Sequence, residues 1–238
     1  KAGGTAVSNT AGSITSSVSV NTDSGFSIGT YTGNGTAGAT VGHGLTGMTP
    51  SMIIIKNRND PTAHSWAVYH SAIGATGALQ LNATDAVITS SVWFNNTAPT
   101  SSVFSIGGSG SGTNSSGYDR VFYAFANTSM IKCGKYTGNG STDGTFVYTG
   151  FKPAFLLIKS SSTAGTTWFM FDNKRASYNV VNKELYAEDA QVEATVDRLD
   201  FCSNGFKCRN TSSSLNGSGN TYIYLAIAEQ SFVTSTTN

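Results

Sequence analysis

Tyr31-Thr32-Gly33-Asn34-Gly35 recurs letter for letter as Tyr136-Thr137-Gly138-Asn139-Gly140, which makes the chain a tandem duplication. In the first copy Phe26-Ser27-Ile28-Gly29-Thr30-Tyr31 leads into the motif with a period of two, as a half-buried strand requires. The Gly-Asn-Gly that follows tolerates the positive φ of a turn. The motif therefore reads as a strand end and turn. A phosphate-binding loop would need a lysine and a following helix, and neither is present.

Working outward, Met52-Ile53-Ile54-Ile55-Lys56 follows Pro50, and Pro153-Ala154-Phe155-Leu156-Leu157-Ile158-Lys159 takes the same place in the second copy. Both are short, continuous apolar runs that suit strands covered on two faces. Trp66 and Trp168 lie 102 residues apart and are expected as core anchors, sharing faces with Val68 and Met170. Each copy closes on a long strand, Arg120–Ala126 and Thr221–Ala228. There Ala124 and Ala126 match Ala226 and Ala228 and predict a closely packed face. Many short strands separated by Gly and Asn point to an all-β protein of two tandem antiparallel β-sandwich, jelly-roll-like repeats. The expected boundaries are a flexible arm or linker over residues 1–25, repeats over 26–129 and 130–232, and a tail over 233–238. The weak alternation at Val18-Ser19-Val20 would let the arm add a strand to a neighbouring sheet. The spacing predicts one short helix, from Lys183 to Ala194.

Charged residues are 11% of the 238, the net charge is +1, and the basic residues are scattered singly. That pattern gives no footprint for nucleic acid. No apolar run reaches the roughly 20 residues of a membrane span, so membrane insertion is not expected, and the first residues lack the apolar core of a signal peptide. The chain opens at Lys1 without an initiator methionine, as expected of a processed chain or of part of a longer one. Cys133, Cys202 and Cys208 are an odd set, and an Asn204-Gly205 turn would pair Cys202 with Lys207 and Phe201 with Cys208. All three are expected to act as small hydrophobes. Eight Asn-x-Ser/Thr sequons (Asn34, Asn82, Asn95, Asn114, Asn127, Asn139, Asn210, Asn216) fall where chance would put them in so polar a chain.

Catalytic signatures are missing: there is no nucleophile elbow, and no cofactor is expected. His43, His64 and His70 cluster in the first copy only, without the spacing of a metal site. Glu184, Glu188, Asp189, Glu193, Asp197 and Asp200 crowd one stretch of the second copy. They could supply paired carboxylates for glycoside hydrolysis, but read better as a solvated loop without the calcium pattern. Asp172-Asn173-Lys174-Arg175 is the densest polar cluster of that copy. These four and the three histidines are the candidate contacts to a glycan or partner.

The ordered motifs Gly25-Phe26-Ser27-Ile28, Tyr31–Gly35, Val41-Gly42-His43-Gly44-Leu45, Met52–Asn57, Trp66–His70, Trp93–Thr97 and Thr100–Phe104 continue in the second half. There they are followed by Phe146–Phe151, Phe171–Arg175, Tyr178-Asn179-Val180, Ser203–Lys207 and Tyr222-Ile223-Tyr224. From about residue 21 to residue 232 this order resembles a β-rich domain of marine tailed-bacteriophage virion proteins of tail-fibre or other structural type. The resemblance implies a non-enzymatic virion protein on the particle surface, a homo-oligomer whose partners are other virion proteins and a host-surface glycan or receptor. A capsid-decoration or head-fibre role is the alternative it leaves open, and a polysaccharide depolymerase is the remote one.

Overall fold

The computed structural model describes residues 3–62, 64–110 and 112–229; the expected tail, 233–238, lies outside them. The protein is all-β with antiparallel sheets. The chain divides into two compact units between Asn127 and Thr128, with the short stretch 164–166 grouping with the first.

The first unit contains β1 (Val7–Asn9), β2 (Ser16–Asn21), β3 (Phe26–Thr32), β4 (Thr40–Gly42), β5 (Met52–Asn57) and β6 (Ala67–His70). It continues with β7 (Gly77–Gln80), β8 (Ile88–Thr89), the helical turn α1 (Ser91–Phe94), β9 (Val103–Ser105) and β10 (Asp119–Phe125). Its main sheet runs β1-β2-β3-β10-β5-β6-β7-β8, and β4 pairs separately with β9. The second unit contains β11 (Ile131–Thr137), β12 (Phe146–Tyr148), β13 (Pro153–Ser160), β14 (Phe169–Asp172), β15 (Val181–Tyr186), β16 (Ala194–Cys202), β17 (Gly205–Cys208) and β18 (Thr221–Ala228). Its strands form a single order, β11-β18-β13-β14-β15-β16-β17-β12.

The duplication is visible strand by strand. β3-β10-β5-β6 corresponds to β11-β18-β13-β14, and the β4–β9 pair to β12–β17. Val41 faces Phe104 in one pair and Val147 faces Phe206 in the other. The copies differ between these pieces. In the second the long β16 carries the β12–β17 pair into the main sheet, whereas α1 interrupts the first at that point.

The cores are where the apolar runs put them. Ile53, Ile55, Phe104, Phe122 and Ala124 pack together in the first unit. Leu156, Ile158, Phe169, Phe171 and Ala226 do so in the second. β5 is buried at Met52, Ile53, Ile54 and Ile55 alike, as a strand covered on both faces must be. Trp168 is buried, but Trp66 is only half-buried, with the Lys56 ammonium 5.5 Å from its ring centre.

The repeated motif acts as the same staple twice. Tyr31 Oη donates to Thr113 O at 2.6 Å, and Tyr136 Oη to Leu215 O at 2.7 Å. The next residue in each loop is a fully buried asparagine, Asn114 or Asn216. Its Oδ1 accepts from the backbone of Asn34 at 2.9 Å or of Asn139 at 3.1 Å. Its Nδ2 donates to Thr36 O and Gly107 O at 2.9 and 2.7 Å in the first unit, and to Ser141 O and Asn210 O at 2.8 and 2.9 Å in the second. The motif's first glycine must lack a side chain: a Cβ on Gly33 would lie 2.4 Å from Ser115 O, and one on Gly138 would lie 2.3 Å from Gly217 O. Its second glycine sits at φ +74° in Gly35 and +67° in Gly140, where an L side chain is strained.

Several expectations are corrected. The stretch from Lys183 to Ala194 is not a helix but the end of β15, a loop and the start of β16. Its acids take separate partners instead of lining one side of a helix: Glu188 accepts from Trp168 N, Glu193 from Arg175, and Glu184 from across the hairpin. Glu184 is fully buried and takes two hydrogen bonds from Arg198, at 2.5 and 2.9 Å, with a third from Tyr186 Oη at 2.7 Å. The β16–β17 turn is Ser203-Asn204, so Cys202 faces Gly205 and Leu199 faces Cys208; no two cysteines are joined. The leading segment, expected as a flexible arm whose Val18-Ser19-Val20 stretch could add a strand to a neighbouring sheet, supplies β1 and β2 to the first unit's own sheet, where Val18 is buried against the core.

Candidate functional site

The three histidines do not converge. His43 is buried: its Nδ1 accepts from Leu45 N at 3.1 Å, its Nε2 donates to Thr100 O at 3.2 Å, and burial lowers its pKa. His70 is buried at the end of β6, with Nδ1 accepting from Ala72 N at 3.1 Å. Both fix turns. His64 lies 3.0 Å from Asp60 Oδ2 and belongs to a buried charge cluster. At its centre is Arg120, fully buried, whose Nε donates to Gly112 O at 2.6 Å and Nη1 to Asn57 Oδ1 at 2.9 Å. Its Nη2 lies 3.7 Å from Asp60 Oδ2 and makes no hydrogen bond. In the second unit the equivalent residue is Tyr222, opposite Ser160 as Arg120 is opposite Asn57. Tyr222 Oη donates to Ser213 O at 2.6 Å, so a neutral phenol there holds the loop that the guanidinium holds in the first copy. Arg120 at its centre is closed to solvent, while His64 at its margin keeps 17% of its side chain exposed. Among the described residues, no group of three or more His, Cys, Asp or Glu side chains is placed to hold a metal ion.

The Asp172–Arg175 stretch is a turn closed on itself. Asp172 Oδ1 accepts from the backbone of Lys174 and Arg175 at 2.9 and 2.8 Å, and its Oδ2 accepts from Arg175 Nε at 2.6 Å. Partial burial alone would raise the Asp172 carboxyl; the hydrogen bonds from Arg175 and Lys174 outweigh it and leave the pKa lowered. Arg175 also reaches Glu193 at 3.2 Å and Met170 O at 3.1 Å. Lys174 is exposed. Asn173 faces outward to a groove, with its Nδ2 donating to Glu229 Oε1 at 2.8 Å.

That groove encloses about 220 Å³, with Val181 and Phe201 among its lining and Lys152, Asn173, Ser177 and Asn179 as its polar groups. Lys152 Nζ sits 2.9 Å from Glu229 Oε2, and Lys152 is the main reason the Glu229 pKa is lowered. Asn179 is fixed by reciprocal bonds with Phe201, donating to its O at 3.0 Å and accepting from its N at 2.9 Å. Tyr178 also lines the groove and is 87% exposed, the most exposed aromatic ring among the described residues together with a hydrogen-bonding rim. An amide, an ammonium–carboxylate pair and an uncovered ring are the chemistry for a ligand carrying both hydroxyls and an apolar face. A larger depression of about 340 Å³ in the first unit, lined by Thr30, Thr32, Arg58 and Asp119, has hydroxyls and charges, but its one aromatic, Tyr31, is buried.

Of the sequence-derived candidates, then, Asn173 alone lines the groove, and Asp172 and Arg175 shape the turn that presents it. Tyr178, Lys152 and Ser177 were missed. The available signal was a lone aromatic in the polar run Ala176-Ser177-Tyr178-Asn179.

No curated protein and no solved structure matches the chain. Residues 1–231 match the family model described as "Domain of unknown function (DUF7483)", and the chain belongs to that family.

Proposed function

We propose that this chain is a non-catalytic structural module of a tailed-bacteriophage virion, of tail-fibre type, that offers the groove beside Tyr178 to a host-surface glycan. The observation that carries the binding reading is the uncovered Tyr178 ring next to Lys152 and Asn173. Sugar C–H faces stack on such a ring while the hydroxyls take the amide and the ion pair. The motif order along the chain supports the virion assignment, and the low charge suits a particle surface. In this reading the two units are jelly-roll-like β-sandwiches held rigid by their twin staples, and several copies act together, so that weak single sites give firm adhesion.

Titration with purified host capsular and lipopolysaccharide glycans tests the proposal. Tyr178→Ala is expected to weaken binding about tenfold or more with thermal unfolding unchanged, since an exposed ring supports no core. Equal affinity of the variant for every glycan bound would overturn the site. New reducing ends released from the glycan would overturn the non-catalytic reading. Antibody labelling over the shell facets instead of the tail would assign the chain to capsid decoration.

A further inference from the structure

Each unit has its own sheet with a corresponding run of strands, so strand edges in one have counterparts in the other. In the first unit the chain's own leading segment closes two of them. β2 pairs along the outer edge of β3, from Ser16 opposite Tyr31 to Asn21 opposite Phe26. Just before it, Ile14 bridges Val41 in parallel, with Ile14 N donating to Thr40 O at 2.9 Å. Thr40 N donates to Ser13 Oγ at 2.9 Å, and Ser16 Oγ donates to Gly42 O at 2.7 Å. Val18, buried, fills the space above Gly29 and Gly44.

The corresponding edges of the second unit are the two ends of its sheet, β11 and β12. Only Thr128, Ser129 and Met130 lie between the unit boundary and β11, too few to form a counterpart of β2. Cys208 N donates to Thr145 O and Thr149 N to Asn204 O, so β12 uses its alternate groups on β17. In an antiparallel ladder this turns the N–H and C=O of Phe146 and Tyr148 to the other side, where they meet no strand among the described residues. The side chains are uncovered too: Phe146 is 47% and Tyr148 65% exposed. Their counterparts in the first unit, Thr40 and Gly42, lie beneath the leading segment. A bare edge with exposed aromatics is a template for another chain.

We infer that the second unit is an acceptor for an extended strand donated by a different protein, which completes it as residues 13–21 complete the first. The chemistry of the donor follows from the edge. β11 carries Lys132 and Lys135 where β3 carries Ser27 and Thr30. Two copies of β11 would set lysines against each other, which opposes self-pairing. A strand alternating small β-branched and hydroxyl residues, neutral or acidic opposite Lys135, fits instead. Recognition is by backbone pairing, with the donor's apolar residues filling alternate sites, whatever ligand the Tyr178 groove takes.

A peptide with the sequence of residues 9–21 serves as the probe, added to the full chain and followed by amide hydrogen exchange. Expected is saturable binding that protects the amides of Lys135, Phe146 and Tyr148. Tyr148→Pro should weaken it about tenfold or more while leaving thermal unfolding unchanged, because proline is tolerated where an edge N–H faces solvent. Absence of protection at these three amides, or equal binding by Tyr148→Pro, would overturn the inference. So would finding the three already protected in the chain alone, whether by its own residues or by a second copy.

Discussion

Asn216→Ala unfolds the second unit under conditions in which the first stays folded. Asn216 is fully buried, and its side chain satisfies Asn139 N, Ser141 O and Asn210 O at 2.8–3.1 Å, with a further bond to Asn139 Oδ1 at 3.0 Å. Alanine leaves three backbone groups without their partner around a fully buried position. Each buried orphan costs about 1–3 kcal/mol, so a total of about 3–5 kcal/mol is expected, much of the stability of an ordinary domain. Asn114→Ala should do the same to the first unit, where the Gly107 O and Thr36 O bonds would be lost. Denaturant titration with hydrogen exchange read separately for β11–β18 and β3–β10 checks both. Equal midpoints for wild type and variant would refute the staple.

Arg120→Met has the second largest expected effect, about 3–5 kcal/mol confined to the first unit, because one member of a buried charge cluster is removed while its partners remain. The bonds to Gly112 O and Asn57 Oδ1 go, and Asp60 loses the guanidinium beside it while keeping its contact with His64. Arg120→Tyr is expected to be milder, since Tyr222 does the same task in the second copy. Chemical denaturation of the two variants orders them, and a tyrosine variant as unstable as the methionine one would contradict the equivalence. The cluster also sets an acid dependence. Burial would raise the Asp60 carboxyl, but hydrogen bonds from Thr62, Ser115 and His64 outweigh it, and its pKa lies below the ordinary 3.8. A carboxylate held lower in the folded than in the unfolded chain stabilises above the unfolded value and stops doing so as pH falls through the folded one. Asp60→Asn should therefore flatten the first unit's loss of stability below pH 3.8.

The duplication, the strand positions and the buried alanine face were legible because they depend on local period and on a constant offset along the chain. Met52–Ile55 and Leu156–Ile158 could hardly be anything but interior strands. The staple's second half was not legible: Asn114 and Asn216 lie about 80 residues from the motifs they hold, among many similar asparagines. The helix expected over 183–194 failed because its acids take separate partners in a strand-and-loop path: Glu184 takes Arg198 across the hairpin, Glu188 takes the backbone of Trp168, and Glu193 takes Arg175. The arm expected over residues 1–25 orders as a strand of the first unit. Its few apolar residues, Ile14, Val18 and Val20, cannot fold alone but suffice to close an edge that another part of the chain has already built. For the candidate site, the Asp172–Arg175 stretch drew attention by its charge, although charge there closes the turn. The ring that stays uncovered, Tyr178, carried no such mark.

Amide exchange on the native chain, with nothing added, tests most directly the claim that one copy is closed in cis and the other left open. The edge amide of Thr30, which faces β2, should be strongly protected, and that of Lys135, its counterpart on β11, should exchange far faster. Equal protection of the two edges would contradict the account.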